Sequence, residues 1–294
     1  MRTLPFDLLE FAMEYEAIDR VILPAANPIS GIAPFKRLGL RGIQSPSYSG
    51  VTGNPCVFFG GAHRLFHLEV SAGETNHPFG NAIHRAIEEG RGLCGVVLRV
   101  KDLQTIVANL RHRGIKCDSS ETAFGIWATL QVEDETGVPL ALCQFEVSVE
   151  AQNAEIEMDD GFNHTFPVRR LDHLAAVARN LDAQTHFWTN VLKVPLFGEV
   201  VTPKMIIRQF KIGDAIIELL GAASADSPIH QRAPGLISMM ALEVEDIAAA
   251  VAQARATGFS IPDPATGVLP GTITATIPAT EMNGLALQLL QYVS

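Results

Sequence analysis

A chain of 294 residues with 47% apolar and 18% charged side chains holds core material for about two domains, and it excludes a disordered, collagen-like or coiled-coil protein. Its 22 basic against 32 acidic residues leave a formal charge of −10, which repels a phosphate backbone, so no nucleic-acid partner is expected. No apolar run approaches the ~20 residues that span a bilayer, so no membrane partner is expected either.

In chain order, the segment Leu4 to Met13 is apolar but interrupted by Asp7 and Glu10. It reads as a short amphipathic element rather than a signal peptide, which makes the cytoplasm the expected location. A strand–helix opening begins near Ile18. All four cysteines, Cys56, Cys94, Cys117 and Cys143, lie in the first half without CxxC, zinc or haem spacing, and read as reduced, buried thiols. His63, His67 and Glu69 share a strand face. Six residues along a strand span ~20 Å, so His63 and Glu69 cannot share an ion unless a bulge intervenes, which leaves His67 with Glu69 or simply a polar strand face.

Two segments then repeat one another: GLCGVVLRVKDLQTIVANLRHRGIKCD from Gly92 and GLISMMALEVEDIAAAVAQARATGFSIPD from Gly235. Val100, Asp102, Leu103, Val107 and Gly114 recur as Val244, Asp246, Ile247, Val251 and Gly258 at a constant offset of 144. Each copy predicts a buried strand, an aspartate N-cap, a helix with an apolar stripe and a glycine at its left-handed end. Between them, Val147 to Val168 carries Glu155, Glu157, Asp159, Asp160 and Gly161 and reads as a polar connector. A further strand–helix unit begins at Leu171, with Asn180 as its cap and Phe187, Trp188 and Leu192 inward. Short strands are predicted at Leu196–Val201, Met205–Lys211, Ala215–Leu220, Thr272–Ile277 and Leu285–Gln291. The chain therefore reads as an α+β protein of four β-α-β-β-β units, with a first half over 1–150, a linker over 151–167 and a second half over 168–294.

Paired βαβββ units with these spacings, and the segments LDH (Leu171–His173), IELLG (Ile217–Gly221), DSPI (Asp226–Ile229), ALEVEDI (Ala241–Ile247) and NGLALQLLQ (Asn283–Gln291), resemble the vicinal oxygen chelate superfamily of glyoxalases, bleomycin-resistance proteins and extradiol dioxygenases. The second half is similar to methylmalonyl-CoA epimerases. The resemblance implies four modules paired into two half-open barrels. It also implies one divalent metal, Mn, Co, Fe, Ni or Zn, chelating neighbouring substrate oxygens. The family's ligand positions fall on His173, Glu218, Met239 and Gln288, so His173, Glu218 and Gln288 are the candidate ligands. A thioether suits such metals poorly at Met239, which leaves the alternative that no metal binds. The epimerase acid–base position falls on Lys204, giving His173, Glu218 and Lys204 as candidate catalytic groups. In the first half the same positions fall on Arg20, Glu69, Gly95 and Ala141, a set that holds no metal, so that half is expected to be structural.

Glu218 is too costly to bury alone, so it either faces a wet pocket or pairs with Arg208. Gln288, Met239, Met240, Phe210 and His230 are the candidate substrate contacts, with Arg169, Arg170, Arg208 and Lys211 as cations available to a CoA phosphate. Two functions remain open beside a scaffold with no small ligand. One is an isomerase-, lyase- or dioxygenase-like enzyme acting on a small carbonyl, acyl-thioester or aromatic substrate. The other is a metal-free protein that binds or sequesters a small apolar molecule. Either a monomer or a homodimer is compatible with two fused halves.

Overall fold

The computed structural model describes residues 15–44, 54–59, 67–73, 77, 79–122 and 125–293. The Leu4 to Met13 segment and His63 lie outside them. The described residues form two eight-stranded sheets. The first contains β1 (Tyr15–Pro24), β2 (Gly42–Gln44), β3 (Pro55–Phe58), β4 (His67–Ser71), β5 (Gly95–Val100), β6 (Cys117–Thr122), β7 (Gly125–Leu130) and β8 (Leu140–Phe145), in the order β2-β3-β4-β1-β5-β8-β7-β6. The second contains β9 (Val168–Val177), β10 (Leu196–Val201), β11 (Met205–Ile212), β12 (Ala215–Ala222), β13 (Gly235–Val244), β14 (Ala265–Thr266), β15 (Thr272–Ile277) and β16 (Ala286–Tyr292), in the order β10-β11-β12-β9-β13-β16-β15-β14. Each sheet is two βαβββ modules joined through an antiparallel pair of their first strands, β1 with β5 and β9 with β13.

The repeated segments fold as their residues dictate. Asp102 Oδ1 accepts a hydrogen bond from the Thr105 amide at the head of the helix Leu103–His112, and Asp246 Oδ1 accepts from the Ala248 and Ala249 amides at the head of Ile247–Ala256. Past both helices the chain reverses through a glycine in the left-handed region, Gly114 at φ 83° and Gly258 at φ 86°. In the third module Asn180 caps the helix Leu181–His186, which runs on into a π turn, Phe187–Val191. There Trp188 and Leu192 are buried while Phe187 is half-buried.

Strand alternation gives the second sheet two unlike faces. Leu174, Ala176, Leu219, Met240, Leu242, Leu287 and Leu289 are buried in one hydrophobic core with Trp188, Leu192 and the inner stripe Ile247, Ala250, Val251 and Ala254 of the capping helix. That core continues into the first half through Val96, Leu98, Leu140 and Leu142. Polar bonds stitch the same seam: Trp188 Nε1 donates to the Thr136 carbonyl at 2.9 Å, the Gly92 amide to Ser238 Oγ at 2.9 Å, and Asn283 Nδ2 to the Pro24 carbonyl at 3.3 Å.

The connector is more ordered than its polarity suggests. It contains a helix, Val149–Met158, capped by Ser148 Oγ and anchored by the buried Ile156 against Cys56 and Phe58. A second helix without a counterpart in the other half, Gly80–Glu89, lies between β4 and β5. Its Ile83 and Ala86 join Phe79, Ile22, Val97, Trp127, Ala141, Cys143 and Phe145 in a separate apolar cluster. In the second half the corresponding link, between β12 and β13, carries only the 3₁₀ turn Pro228–Gln231. One half is thus filled on this face, and the other is left open.

Candidate functional site

The open face of the second sheet encloses a cavity of about 370 Å³. His173 and Ala175 of β9, Glu218 and Leu220 of β12, Ile237 and Met239 of β13, and Gln288 and Leu290 of β16 line it. Register explains the arrangement. Ala241 pairs with both His173 and Gln288, and Ala175 pairs with Glu218, so small side chains separate the polar ones and leave space above them. The rest of the wall is mostly apolar, with Thr266, Thr272, Thr274 and Arg232 as further polar contributors.

The neighbouring residues Asp172 and His173 both act here because β9 bulges. Ala241 pairs with His173, yet the next residue, Leu242, pairs with Leu171, which leaves Asp172 as the extra residue. His173 Nδ1 lies 2.8 Å from Asp172 Oδ2, and its Nε2 lies 3.9 Å from Glu218 Oε2. Asp172 is fully buried and also accepts from Tyr292 Oη at 3.0 Å and Arg170 Nη2 at 3.1 Å. Glu218 Oε1 accepts from Gln209 Nε2 at 2.8 Å.

Two opposing effects set the protonation of His173. Burial disfavours its charged form, but the hydrogen bond to Asp172 and the charges of Glu218 and Asp172 outweigh this and raise its pKa above the ordinary histidine value. Burial acts on Asp172 in the opposite sense to its partners. The His173, Tyr292 and Arg170 contacts prevail and hold its carboxyl below the usual range. Burial and the Asp172 carboxylate raise the Tyr292 phenol, so it remains a hydrogen-bond donor at neutral pH.

Of the residues the sequence singles out, His173, Glu218, Met239 and Gln288 meet at this cavity. The others do not. Met240 follows Met239 on the strand, so it points to the opposite face and is fully buried in the core. Phe210 is likewise buried there, stacked on Trp188 with ring centroids 5.4 Å apart, because its neighbour Gln209 takes the cavity side. Lys204 lies in the exposed turn between β10 and β11 and pairs with Asp226 at 3.4 Å. His230 is exposed on the 3₁₀ turn, with Nε2 3.1 Å from the Ser224 carbonyl, and lines an outer groove instead.

The alternatives for Glu218 also resolve: it faces the cavity, while Arg208 turns to Asp182 at 2.7 Å and Glu199 at 2.8 Å. Arg170 and Arg169 are tied to Glu243, and the Lys211 ammonium lies over the Phe197 ring. The sequence reading missed Asp172, although it stands inside the LDH segment. A carboxylate next to a histidine on a regular strand would point away from it, and only the bulge turns it back.

The first half carries the same bulge with different chemistry. Leu98 pairs with Ile18 while Val97 pairs with Arg20, so Asp19 is the extra residue, and Arg20 stands where the second half has His173. The Arg20 guanidinium donates to Asp19 Oδ2 and to Glu69 Oε2, both at 2.7 Å, and lies 4.8 Å from the Trp127 ring centre. Glu69 Oε1 also accepts from Asn54 Nδ2 at 2.9 Å and lies 3.2 Å from His77 Nε2. Burial opposes the charge on Glu69, but the Arg20 guanidinium and the His77 and Asn54 contacts hold its pKa far below the usual range. His67 is buried against Phe58, with ring centroids 4.7 Å apart.

Among the described residues no group of three or more His, Cys, Asp or Glu side chains is placed to hold a metal ion. In the second half, however, His173 and Glu218 face one space with the Gln288 amide on the same wall. Nitrogen and oxygen donors of this kind suit a divalent ion, and a carboxylate behind the imidazole is the usual support of a histidine ligand.

Two family models match the chain. The model for the Glyoxalase/Bleomycin resistance protein/Dioxygenase superfamily covers residues 170–288, and that for a glyoxalase-like domain covers residues 18–192. Comparison with curated proteins gives no match. Among solved structures, a xylose isomerase-like TIM barrel/4-hydroxyphenylpyruvate dioxygenase fusion protein is similar over 96% of this chain and 50% of its own, at 18% identity and a TM-score of 0.63, which shows a shared fold. A methylmalonyl-CoA epimerase from Mycobacterium tuberculosis aligns with 44% of this chain and 92% of its own, at 20% identity and a TM-score of 0.40. A hypothetical protein from Bacillus halodurans aligns with 42% of this chain and 95% of its own, at 23% identity and a TM-score of 0.39. On the family matches and the paired βαβββ architecture, the chain belongs to the glyoxalase, bleomycin-resistance and dioxygenase superfamily, the vicinal oxygen chelate proteins.

Proposed function

We propose that the second half is an enzyme site for a small carbonyl, acyl-thioester or aromatic substrate, with His173 and Glu218 as the reacting pair. One observation carries this reading: His173 Nε2 and Glu218 Oε2 lie 3.9 Å apart on the wall of a cavity of about 370 Å³, with Asp172 hydrogen-bonded behind the imidazole. The Nε2–Oε2 gap is too wide for a hydrogen bond and leaves both atoms available to a third partner. Asp172 fixes the imidazole's orientation and steadies its protonated form, so His173 can take a proton from a substrate carbon or oxygen and return it. Gln209 orients the Glu218 carboxylate.

His173, Glu218 and Gln288 are also the residues that would hold a divalent ion, with Met239 giving the wall an apolar fourth position. Such an ion, when bound, would act as a Lewis acid toward a substrate oxygen. The test is elemental analysis of protein purified without chelators. Mn, Co, Fe, Ni or Zn is expected near stoichiometric level and lost in His173→Ala; full occupancy in that variant would overturn the assignment.

The apolar wall of Ala175, Ile207, Leu220, Ile237, Met239 and Leu290 favours a second reading, a protein that binds or sequesters an apolar molecule without metal. A thermal shift from such a ligand in metal-stripped protein, unchanged in His173→Ala, would favour it.

A further inference from the structure

The 3₁₀ turn Pro228–Gln231 separates the inner cavity from an outer groove of about 540 Å³. Ile229 and Arg232 line both spaces, so the Arg232 side chain stands at the boundary between them. The other arginines of the groove are neutralised: Arg208 by Asp182 and Glu199, and Arg179 by Asp134 at 3.1 Å. The Asp226 carboxylate nearby in sequence is engaged by Lys204 and Ser224. Arg232 differs. Its side chain is exposed and makes no hydrogen bond or ion pair with any described residue, in a chain of net charge −10. A guanidinium without a counter-ion at the junction of an apolar cavity and a groove is suited to an anion brought by a ligand, which it binds through two parallel hydrogen bonds.

We propose that Arg232 is the specificity-determining residue for an elongated, anionic substrate. The oxygen-bearing end lies between His173 and Glu218, and a carboxylate or phosphate at the other end meets Arg232 at the mouth. This rests on the reading of the inner cavity as the substrate site. Uncharged analogues enter the same cavity but lose the contact at its mouth.

The test measures binding of three probes by calorimetry: 6-oxoheptanoate, its primary amide and 5-oxohexyl phosphate. The proteins are the wild type, Arg232→Gln, Arg232→Lys and His173→Ala. A charged hydrogen bond of this type corresponds to about tenfold tighter binding of an anionic probe than of the amide. Arg232→Gln is expected to erase that preference, and Arg232→Lys to retain part of it. Which anion binds tighter distinguishes a carboxylate from a phosphate ligand. Equal binding of acid, phosphate and amide by the wild type, or a preference that survives in Arg232→Gln, overturns the proposal. Amide binding that His173→Ala does not weaken instead overturns the inner-cavity reading and the proposal with it.

Discussion

Asp172 and His173 are consecutive residues of one strand whose side chains nevertheless hydrogen-bond, Nδ1 to Oδ2 at 2.8 Å, because a β-bulge turns both toward the same region. Arg20 and Asp19 repeat that relationship in the other half at 2.7 Å. The same backbone device thus carries different chemistry in the two halves. One half uses it to aim an imidazole into a cavity, the other to bury a guanidinium between two carboxylates.

The Asp172 contact predicts a pH dependence. Because the folded pKa of His173 is raised, its contribution to stability is fully present below the unfolded value of ~6.5 and is lost as pH rises through the folded value. Asp172 has the opposite sign. Its depressed pKa contributes stability above the unfolded value of ~3.9 that is lost as pH falls through the folded one. Asp172→Asn should lower the His173 pKa, read by the histidine ring resonances, and weaken any metal bound there about 10–100-fold. An unmoved titration would contradict the assigned role.

In the first half the Arg20 guanidinium is 1% exposed and its Glu69 partner is fully buried. Arg20→Ala leaves two buried carboxylates without their cation, and should cost about 3–5 kcal/mol in urea unfolding. The cavity chemistry of the second half should survive at temperatures where the variant remains folded. A loss below 1 kcal/mol would mean that water already screens the cluster.

The seam between halves is sensitive at Gly92. A Cβ there would overlap the Gly284 carbonyl, and the Gly92 amide already donates to Ser238 Oγ. Gly92→Ala should therefore destabilise the protein by about 1–3 kcal/mol, measured by denaturant midpoint at constant m-value. Gly90→Ala is the control for added bulk, since nothing lies within 4 Å of its Cβ position, although its φ of 66° adds strain of its own.

The paired change Met239→His with Gln288→Glu replaces a thioether and an amide with two stronger ligands on the same wall. It should raise metal affinity, read by competition with a chromophoric chelator. No gain in bound metal would mean that these side chains do not converge.

The strands and capped helices of the repeat were legible because their signals are local: Asp102 and Asp246 at helix heads, and apolar stripes facing the sheet. His173 and Glu218 were legible through the resemblance and lie together. Met240 and Phe210 were misassigned because a run of apolar residues does not reveal which face of a sheet each one takes, whereas the register with Gln209 and Met239 does. Asp172 stayed hidden because a bulge is a property of two paired strands, not of the one that carries it. The helix Gly80–Glu89 decides that the first half is closed. Nothing in its own sequence shows that it folds over that face.

The most direct test is a crystal soaked with Mn or Co and measured at the absorption edge of the metal. One anomalous peak is expected inside the second-half cavity, in contact with His173 Nε2 and a carboxylate oxygen of Glu218. A peak elsewhere, or none with the metal in excess, would contradict it.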